Sequence, residues 1–410
     1  MSHDKDIKLL FSVPVIVAAL GYFVDIYDLL LFSIVRRPSL MNLGVPAEEL
    51  LQQGEFLLRV QMGGLLIGGL IWGIMGDKRG RLSVLFGSIL MYSLANIANG
   101  FVTSVDQYAL LRFIAGVGLA GELGAGITLV SEILPTRLRG YGTAIVATVG
   151  LFGAVLANFV AKGFDWQVAY FIGGGLGLLL LLARIRVMES GVFLKIKLEN
   201  VQRGNLLQLV SKWDRLKKFV GCIFIGLPIW FVIGVLITFS PEFALALGLP
   251  QGMINAGDAV MWSYIGLAVG DLSSGFSSQL FKSRKKIVLL FVLLTLVFVC
   301  IYLFYPIESA TAFYVKCFLL GIGIGYWALF VTIGAEQFGT NLRSTVATTV
   351  PNFIRGTVIP IIWLFQYLRG EIGMIYGALA VTIITVVISL IALSVVDETY
   401  SKDLNFIELD

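Results

Sequence analysis

Apolar runs of roughly 20 residues, the length that carries a helix across a bilayer, recur along the chain with short polar interruptions between them. Their centres fall near residues 20, 65, 92, 120, 150, 177, 229, 265, 295, 325, 354 and 383. Backbone polar groups in hydrocarbon must be satisfied within the span itself, so runs of this length read as helices. The pattern predicts an all-α polytopic membrane protein with twelve transmembrane helices. One interruption is long: 188–216 holds Glu189, Lys195, Lys197, Glu199, Arg203, Lys212, Asp214 and Arg215, and it divides the spans six and six. The expected organisation is an N-terminal six-helix bundle over 1–187 and a cytoplasmic linker over 188–216. A C-terminal six-helix bundle over 217–396 and a loose polar tail over 397–410 follow.

The two halves repeat one unit. Arg112 and Lys316, Gly121 and Gly325, Glu132 and Glu336, and Arg139 and Arg343 are each 204 positions apart. These are chemically special residues in spans that are otherwise interchangeable, and a shared offset marks a duplication. The two bundles are therefore expected to be pseudo-symmetric.

Composition narrows the function. The chain is 58% hydrophobic and 14% charged, with a mean hydropathy of +0.90, where soluble domains carry about 25% charged residues. The basic residues lie in short loops between spans, which sets nucleic acid aside. His3 is the only histidine, so neither histidine acid–base chemistry nor a histidine-ligated metal is expected. Cys222, Cys300 and Cys317 lie in apolar runs without a CxxC motif and read as packing. There is no GxxxxGK[ST] loop for ATP and no HExxH. No cofactor and no enzymatic activity are expected. Placing the N-terminus in the cytoplasm puts 22 of the 30 lysines and arginines on the inner side, with Arg36, Arg37, Lys162 and Arg369 alone at the outer ends. Both termini are thus expected inside. Short loops fit a bacterial inner membrane, and a monomer is expected.

Charges at membrane depth are the candidate chemistry, because a carboxylate there costs about 2.5–3.5 kcal/mol on insertion scales. Asp25 and Asp28 stand three apart in the first span, on one side of the helix. They read as a proton or cation site, with a structural salt bridge as the alternative. Glu55 and Arg59 are four apart and read as a pair along their own helix. Gly64-x-x-x-Gly68 and Gly69-x-x-x-Gly73 read as surfaces for close helix approach. Glu122 stands ten residues beyond Arg112, and two readings hold: a second protonation site, or a packing acid bonded to a neighbour. In the second half, Tyr326 occupies the place of Glu122, and Tyr326 and Trp327 are candidate walls of a binding site. Span eleven carries Thr348, Thr349, Asn352 and Arg355, the last two between Pro351 and Pro360; its arginine must face a cavity or a buried acid.

The loop Gly73-Ile-Met-Gly76-Asp77-Lys78-Arg79-Gly80-Arg81 resembles the G-x-x-x-D-[RK]-x-G-R-[RK] signature of the major facilitator superfamily, with Leu82 where a last basic residue is common. Arg112 to Gly140 resembles the R-x-x-x-G-x-G-x-x-x…E-x-x-P-x-x-x-R-G pattern of its sugar, phosphate and organic-ion porter branches. Asp25-Ile-Tyr-Asp28 resembles the acid-bearing first helix of its metabolite:H+ and aromatic-acid symporters. The resemblance implies an alternating-access carrier with a cavity between the halves. It implies a proton-sensitive pair of Asp25 or Asp28 with Arg112. It also implies an inner gate of Asp77, Arg81, Glu132 and Arg139.

The expectation is a secondary active transporter, a proton-coupled symporter of a small anionic or zwitterionic organic solute, with sodium as the other possible coupling ion. Asp25, Asp28 and Glu122 are the candidate proton carriers. Arg112, Lys316 and Arg355 would hold the anion, with Tyr22, Tyr326, Trp327 and Asn352 around it. A proton-antiport exporter of drugs or metabolites is the alternative within the class. A non-transporting membrane sensor or assembly partner is the alternative outside it.

Overall fold

The computed structural model describes residues 9–184, 209 and 211–400; within them, the side chains of residues 77, 81, 128, 131–132, 136–137, 139–141, 143–144, 340–341 and 343–344 lie outside the description. Four of the expected gating residues, Asp77, Arg81, Glu132 and Arg139, are in that group. Most of the 188–216 linker and residues 401–410 of the tail are likewise outside the described residues.

Twelve helical crossings are present among the described residues. The first six are Val13–Asn42, Leu50–Arg79, Arg81–Asn99, the pair Val105–Leu119 and Glu122–Ile133, Thr136–Gly163, and Trp166–Arg184. Span 7 is assembled from Trp213–Ile225, Leu227–Phe231, a π-helical turn over Val232–Ile237, and Ser240–Ala246. Spans 8 and 9 are Ala256–Leu280 and Arg284–Phe304, and span 10 is the pair Ala310–Gly323 and Trp327–Gln337. Span 11 begins as Thr340–Gly356 and continues into Val358–Val395, which also holds span 12. The chain reverses there at Gly373, whose φ of 80° favours a residue without a Cβ. By length and apolarity alone ten helical segments qualify as membrane spans. The reversal at Gly373 makes two crossings of one segment. Span 8, diluted by Asp258, Asp271 and five serines, crosses below that threshold.

The two breaks in spans 4 and 10 fall at repeat-related positions, after Leu119 and after Gly323. Glycine lets the neighbouring backbone come close at these points. A Cβ on Gly64 would collide with the Phe113 carbonyl, and one on Gly325 would collide with the Gly270 backbone. The first GxxxG surface, Gly64 and Gly68, packs on span 4 as expected. The second turns the other way: Gly69 and Gly73 face Asn352 and Thr349 of span 11, in the opposite half.

Side-chain caps start several helices. Ser104, Ser283 and Ser309 each accept a hydrogen bond from the amide three residues on, and Asn255 caps Gly257 and Asp258. The tail departs from expectation. Asp397 to Tyr400 is anchored, not loose: the Glu398 carboxylate accepts from the Ser283 hydroxyl at 2.5 Å and from the Arg284 and Lys285 amides at 3.0 and 3.2 Å. Asp397 also pairs with Lys218 at 2.7 Å. The physical reason is the exposed amino end of span 9, whose unpaired N–H groups attract an anion.

Candidate functional site

A small void, about 10 Å³ and on the order of one water, lies between the two halves at mid-depth. Tyr22 of span 1, Leu151 of span 5, Trp230 of span 7, Tyr264 of span 8, Trp327 of span 10 and Arg355 of span 11 are among its walls. Three breaks in regular helix bring these side chains together. The π turn of span 7 follows Trp230, the break in span 10 starts a new helix at Trp327, and span 11 is interrupted just past Arg355. Irregular backbone at this depth is tolerated where it is buried in protein or lines a cavity.

Arg355 is fully buried, and its guanidinium carbon sits 5.5 Å from the Trp230 ring centre and 5.9 Å from that of Trp327. Flat cations over aromatic faces are attracted by the ring quadrupole. One guanidinium nitrogen reaches Asn352 Oδ1 at 3.4 Å, and the other stands 3.9 Å from Asp25 Oδ2. Asp25 is completely buried, and neither of its oxygens makes a hydrogen bond. The only described ionic partner of this carboxylate is thus a cation in the other half, at the outer limit of an ion pair.

Asp28 looks elsewhere. Three residues along a helix rotate a side chain by roughly 60° from alignment, and Asp28 points toward Gly173 of span 6, where a Cβ would collide with its Oδ1. Arg112 lies on that side of the bundle. It donates to Asn96 Oδ1 at 2.5 Å and stacks 4.7 Å from the Tyr170 ring centre, while its Nε and Nη1 carry no partner. Arg112 and Asp28 make no direct ion pair, and neither lines the void.

The other expected site residues are distributed as follows. Lys316 does not reach the void: its ammonium donates to the carbonyls of Tyr305 at 2.5 Å and Tyr302 at 3.5 Å, at the far end of span 9. The three cations expected to converge on one anion therefore do not, and only Arg355 lines the void. Tyr326 is buried with its hydroxyl on the Ile225 carbonyl, where it braces the break in span 7. Asn352 joins the halves by donating to the Ala120 carbonyl at 2.8 Å. Glu122 is gripped by Arg184, whose two terminal nitrogens reach its oxygens at 2.8 and 2.6 Å, and by Ser88 at 3.0 Å. Its partner Arg184 closes span 6 from inside the bundle. Glu55 and Arg59 do not pair with each other. Glu55 takes Arg369 at 2.7 Å and Arg59 takes Gln366 at 3.0 Å, because the packing of span 2 on span 11 sets these groups opposite one another.

Three sets of ion pairs close the void toward the face away from the termini. Arg36 forks onto Glu242 at 2.7 and 2.8 Å with Arg37 at 3.2 Å, joining spans 1 and 7. Lys162 meets Asp258 at 2.5 Å between spans 5 and 8, and Arg369 meets Glu55 between spans 11 and 2. Each of these pairs crosses between the halves. Sequence reasoning missed Trp230, Tyr264 and Arg184. An aromatic in an apolar run carries no periodic mark of its own, but a midspan acid such as Glu122 did signal that some cation must be near.

A family profile described as Major Facilitator Superfamily matches residues 18–368. A Bacillus subtilis (strain 168) protein named for niacin and nicotinamide transport, NiaP, is 25% identical over 375 residues, covering 89% of this chain and 86% of that protein. A Cupriavidus pinatubonensis protein named for 4-methylmuconolactone transport is 27% identical over 344 residues, 79% of this chain and 76% of its own. Among solved structures, the proton:xylose symporter XylE bound to 6-bromo-6-deoxy-D-glucose shares the fold, with a TM-score of 0.72 at 18% identity over 98% of both chains.

Proposed function

The chain belongs to the Major Facilitator Superfamily and is an integral-membrane transporter, not an enzyme, and on that premise we propose that it carries a small ring-bearing organic monoanion in symport with a proton. The observation that carries this reading is the Asp25–Arg355 relationship: both groups are buried, they belong to opposite halves, and they stand 3.9 Å apart without a hydrogen bond. In the empty carrier the two charges offset each other. A substrate carboxylate that takes Arg355 strips Asp25 of its counter-charge, and a lone carboxylate in that setting binds a proton. Anion and proton then enter together, and the Asp25–Arg355 site keeps the net charge it had when empty. Loading either one alone leaves an uncompensated charge in a low-dielectric space, which opposes closure.

The walls support a flat substrate. Trp230, Trp327, Tyr22 and Tyr264 surround the single cation of the void, so a ring can stack while its carboxylate meets Arg355. The names of the NiaP relative, for niacin and nicotinamide, and of the 4-methylmuconolactone relative both give small ring compounds. A wall cation disfavours the amphipathic cations that a drug exporter would carry. With lysine and arginine concentrated toward the termini, the face closed by Arg36, Lys162 and Arg369 is the outer one. That orientation fits a bacterial inner membrane with both termini inside. Asp77, Arg81, Glu132 and Arg139 remain the proposed inner gate.

The test is uptake of radiolabelled nicotinate and benzoate into proteoliposomes with the outside made acid. Wild-type protein is expected to accumulate label against its gradient. Asp25→Asn is expected to exchange label across the membrane without accumulating it. Accumulation by Asp25→Asn at the wild-type level would exclude that residue as the coupling site.

A further inference from the structure

Each broken span offers a half-helix amino end at membrane depth, and each has a carboxylate at it, but the two are neutralised differently. In the first half the acid is Glu122, in the opening turn of Glu122–Ile133, and Arg184 cancels its charge. In the second half the repeat-related residue is Tyr326, and the acid comes from another span. Asp271 of span 8 accepts the Ala328 amide at 3.0 Å through Oδ1, at the start of Trp327–Gln337. Close contact of the Gly270 and Gly325 backbones fixes this placement. Asp271 is 92% buried (8% exposed), its Oδ2 makes no hydrogen bond, and no ion pair involves it among the described residues.

A cap at this position needs an acceptor oxygen, which an uncharged side chain also supplies. An ionisable group with one oxygen unused exceeds that need, and at this depth it carries a large desolvation penalty. The charged and titratable groups on the surrounding elements leave it unmatched. Tyr22 of span 1 is within electrostatic range, and Tyr264 lies seven residues back on its own helix. Arg355 of span 11 stands by Asp25, Lys316 and Glu336 of span 10 are held by Tyr305 and Arg284, and Tyr302 of span 9 is bonded to Leu236. On span 5, Lys162 is committed to Asp258. The residue next to the capped amide, Trp327, is a wall of the void.

We infer that Asp271 is a second proton-binding carboxylate, in the C-terminal half, which loads and releases a proton during the transport cycle and biases the helix that carries Trp327. This rests on the proton-coupled reading above. A proton joins Oδ2 as the void closes, weakening the hold of the carboxylate on the helix end. It leaves toward the termini face, nine residues from the end of span 8 at Leu280. With Asp25 this makes two protons per monoanion, so transport moves one net positive charge inward.

Infrared spectra of the reconstituted protein, with buffer stepped from about pH 8 to about pH 5, test the inference without a substrate. Wild-type protein is expected to gain protonated-carboxyl absorption, and Asp271→Asn to lack one carboxyl's share of it. Asn keeps the acceptor for the Ala328 amide, and Asp271→Ser serves as a second variant with a shorter acceptor. Wild-type and variant spectra that superimpose would overturn the inference. The share lost in Asp25→Asn is read separately, so a failure of the coupling reading is distinguishable. With nicotinate as probe, capacitive currents on supported membranes are expected from wild type and not from Asp271→Asn. Acid-driven uptake without current in wild type would sink Asp271 and leave Asp25 standing.

Discussion

Arg184 forks onto both oxygens of Glu122 at 2.8 and 2.6 Å, with each side chain about 99% buried. The pair ties the end of span 6 to the break in span 4, and Arg184 adds a bond to the Leu85 carbonyl of span 3 at 2.9 Å. Removing one partner leaves a buried charge alone. Arg184→Met is therefore expected to destabilise the protein by about 3–5 kcal/mol, whereas the Glu122→Gln/Arg184→Met double variant recovers most of the loss. Melting temperatures of the purified proteins at one detergent concentration would decide it. A double variant no better than the single one would mean that the ion pair is worth more than its desolvation.

How much of this arrangement could be read in advance follows from the kind of signal each part leaves. The spans, the duplication and the family are written in hydrophobic runs and in fixed spacings, because membrane depth forces them. Which cation meets which acid is set by side-chain rotation and by the partner helix, and neither leaves a mark on the chain. Asp25 and Asp28 look equivalent from spacing, yet their small angular offset sends one toward Arg355 and the other toward span 6. Lys316 occupies the repeat-related place of Arg112, but its flexible stem and compact ammonium turn it to the carbonyls of the span 9 end instead. Glu55 and Arg59 satisfied a helical rule that the opposite half then overrode.

The tail contact responds to pH with a definite sign. Burial alone would raise the Glu398 carboxyl. The Ser283 hydroxyl and the Arg284, Tyr400 and Lys285 amides outweigh it and hold the group at about 2 against an ordinary 4.5. A carboxyl depressed on folding contributes stability that is fully present above its unfolded value and is lost as pH falls toward 2. The anchored tail is thus expected to loosen in acid, with the loss beginning below about pH 4.5. Hydrogen exchange of the Lys285 amide at successive pH values checks this, with Glu398→Gln as the reference that should show no such acid step.

Two glycines of the second half are expected to respond in opposite directions to the same change. A Cβ at Gly325 would fall on the Gly270 backbone, whereas one at Gly275, in the body of span 8, meets nothing within 4 Å. Gly275→Ala is expected to be neutral or to stabilise by up to about 1 kcal/mol, the helix-propensity gain. Gly325→Ala must push spans 8 and 10 apart and is expected to destabilise by about 1–3 kcal/mol. Thermal unfolding of the two variants side by side is sufficient. Equal behaviour would show that the close approach at Gly325 does not constrain the fold.

The ion pairs across the far face are expected to hold the closed state unequally, in the order of their burial. Arg36 is fully buried, Arg369 is 25% exposed and Lys162 is 46% exposed. A charged hydrogen bond shielded from water contributes about 1.5–3 kcal/mol, whereas an exposed pair contributes about 0–1 kcal/mol. Arg36 also stacks 4.7 Å from the Phe239 ring centre and donates to the Leu50 carbonyl, contacts that hold the guanidinium buried and without its counter-charge once Glu242 is neutralised. Neutralising Glu242 as Glu242→Gln should therefore raise the ratio of open to closed carrier roughly 10- to 100-fold. Arg369→Gln should have a smaller effect, and Lys162→Gln one of no more than about fivefold. The reporter is Leu151→Cys in the wall of the void, on a background lacking Cys222, Cys300 and Cys317, labelled from the far side by a membrane-impermeant maleimide. Labelling rates that rise in the order Lys162, Arg369, Glu242 support a gate graded by burial. Rates that are equal across the three variants, or highest for Lys162→Gln, would mean that closure of this face is set by helix packing and not by its charges.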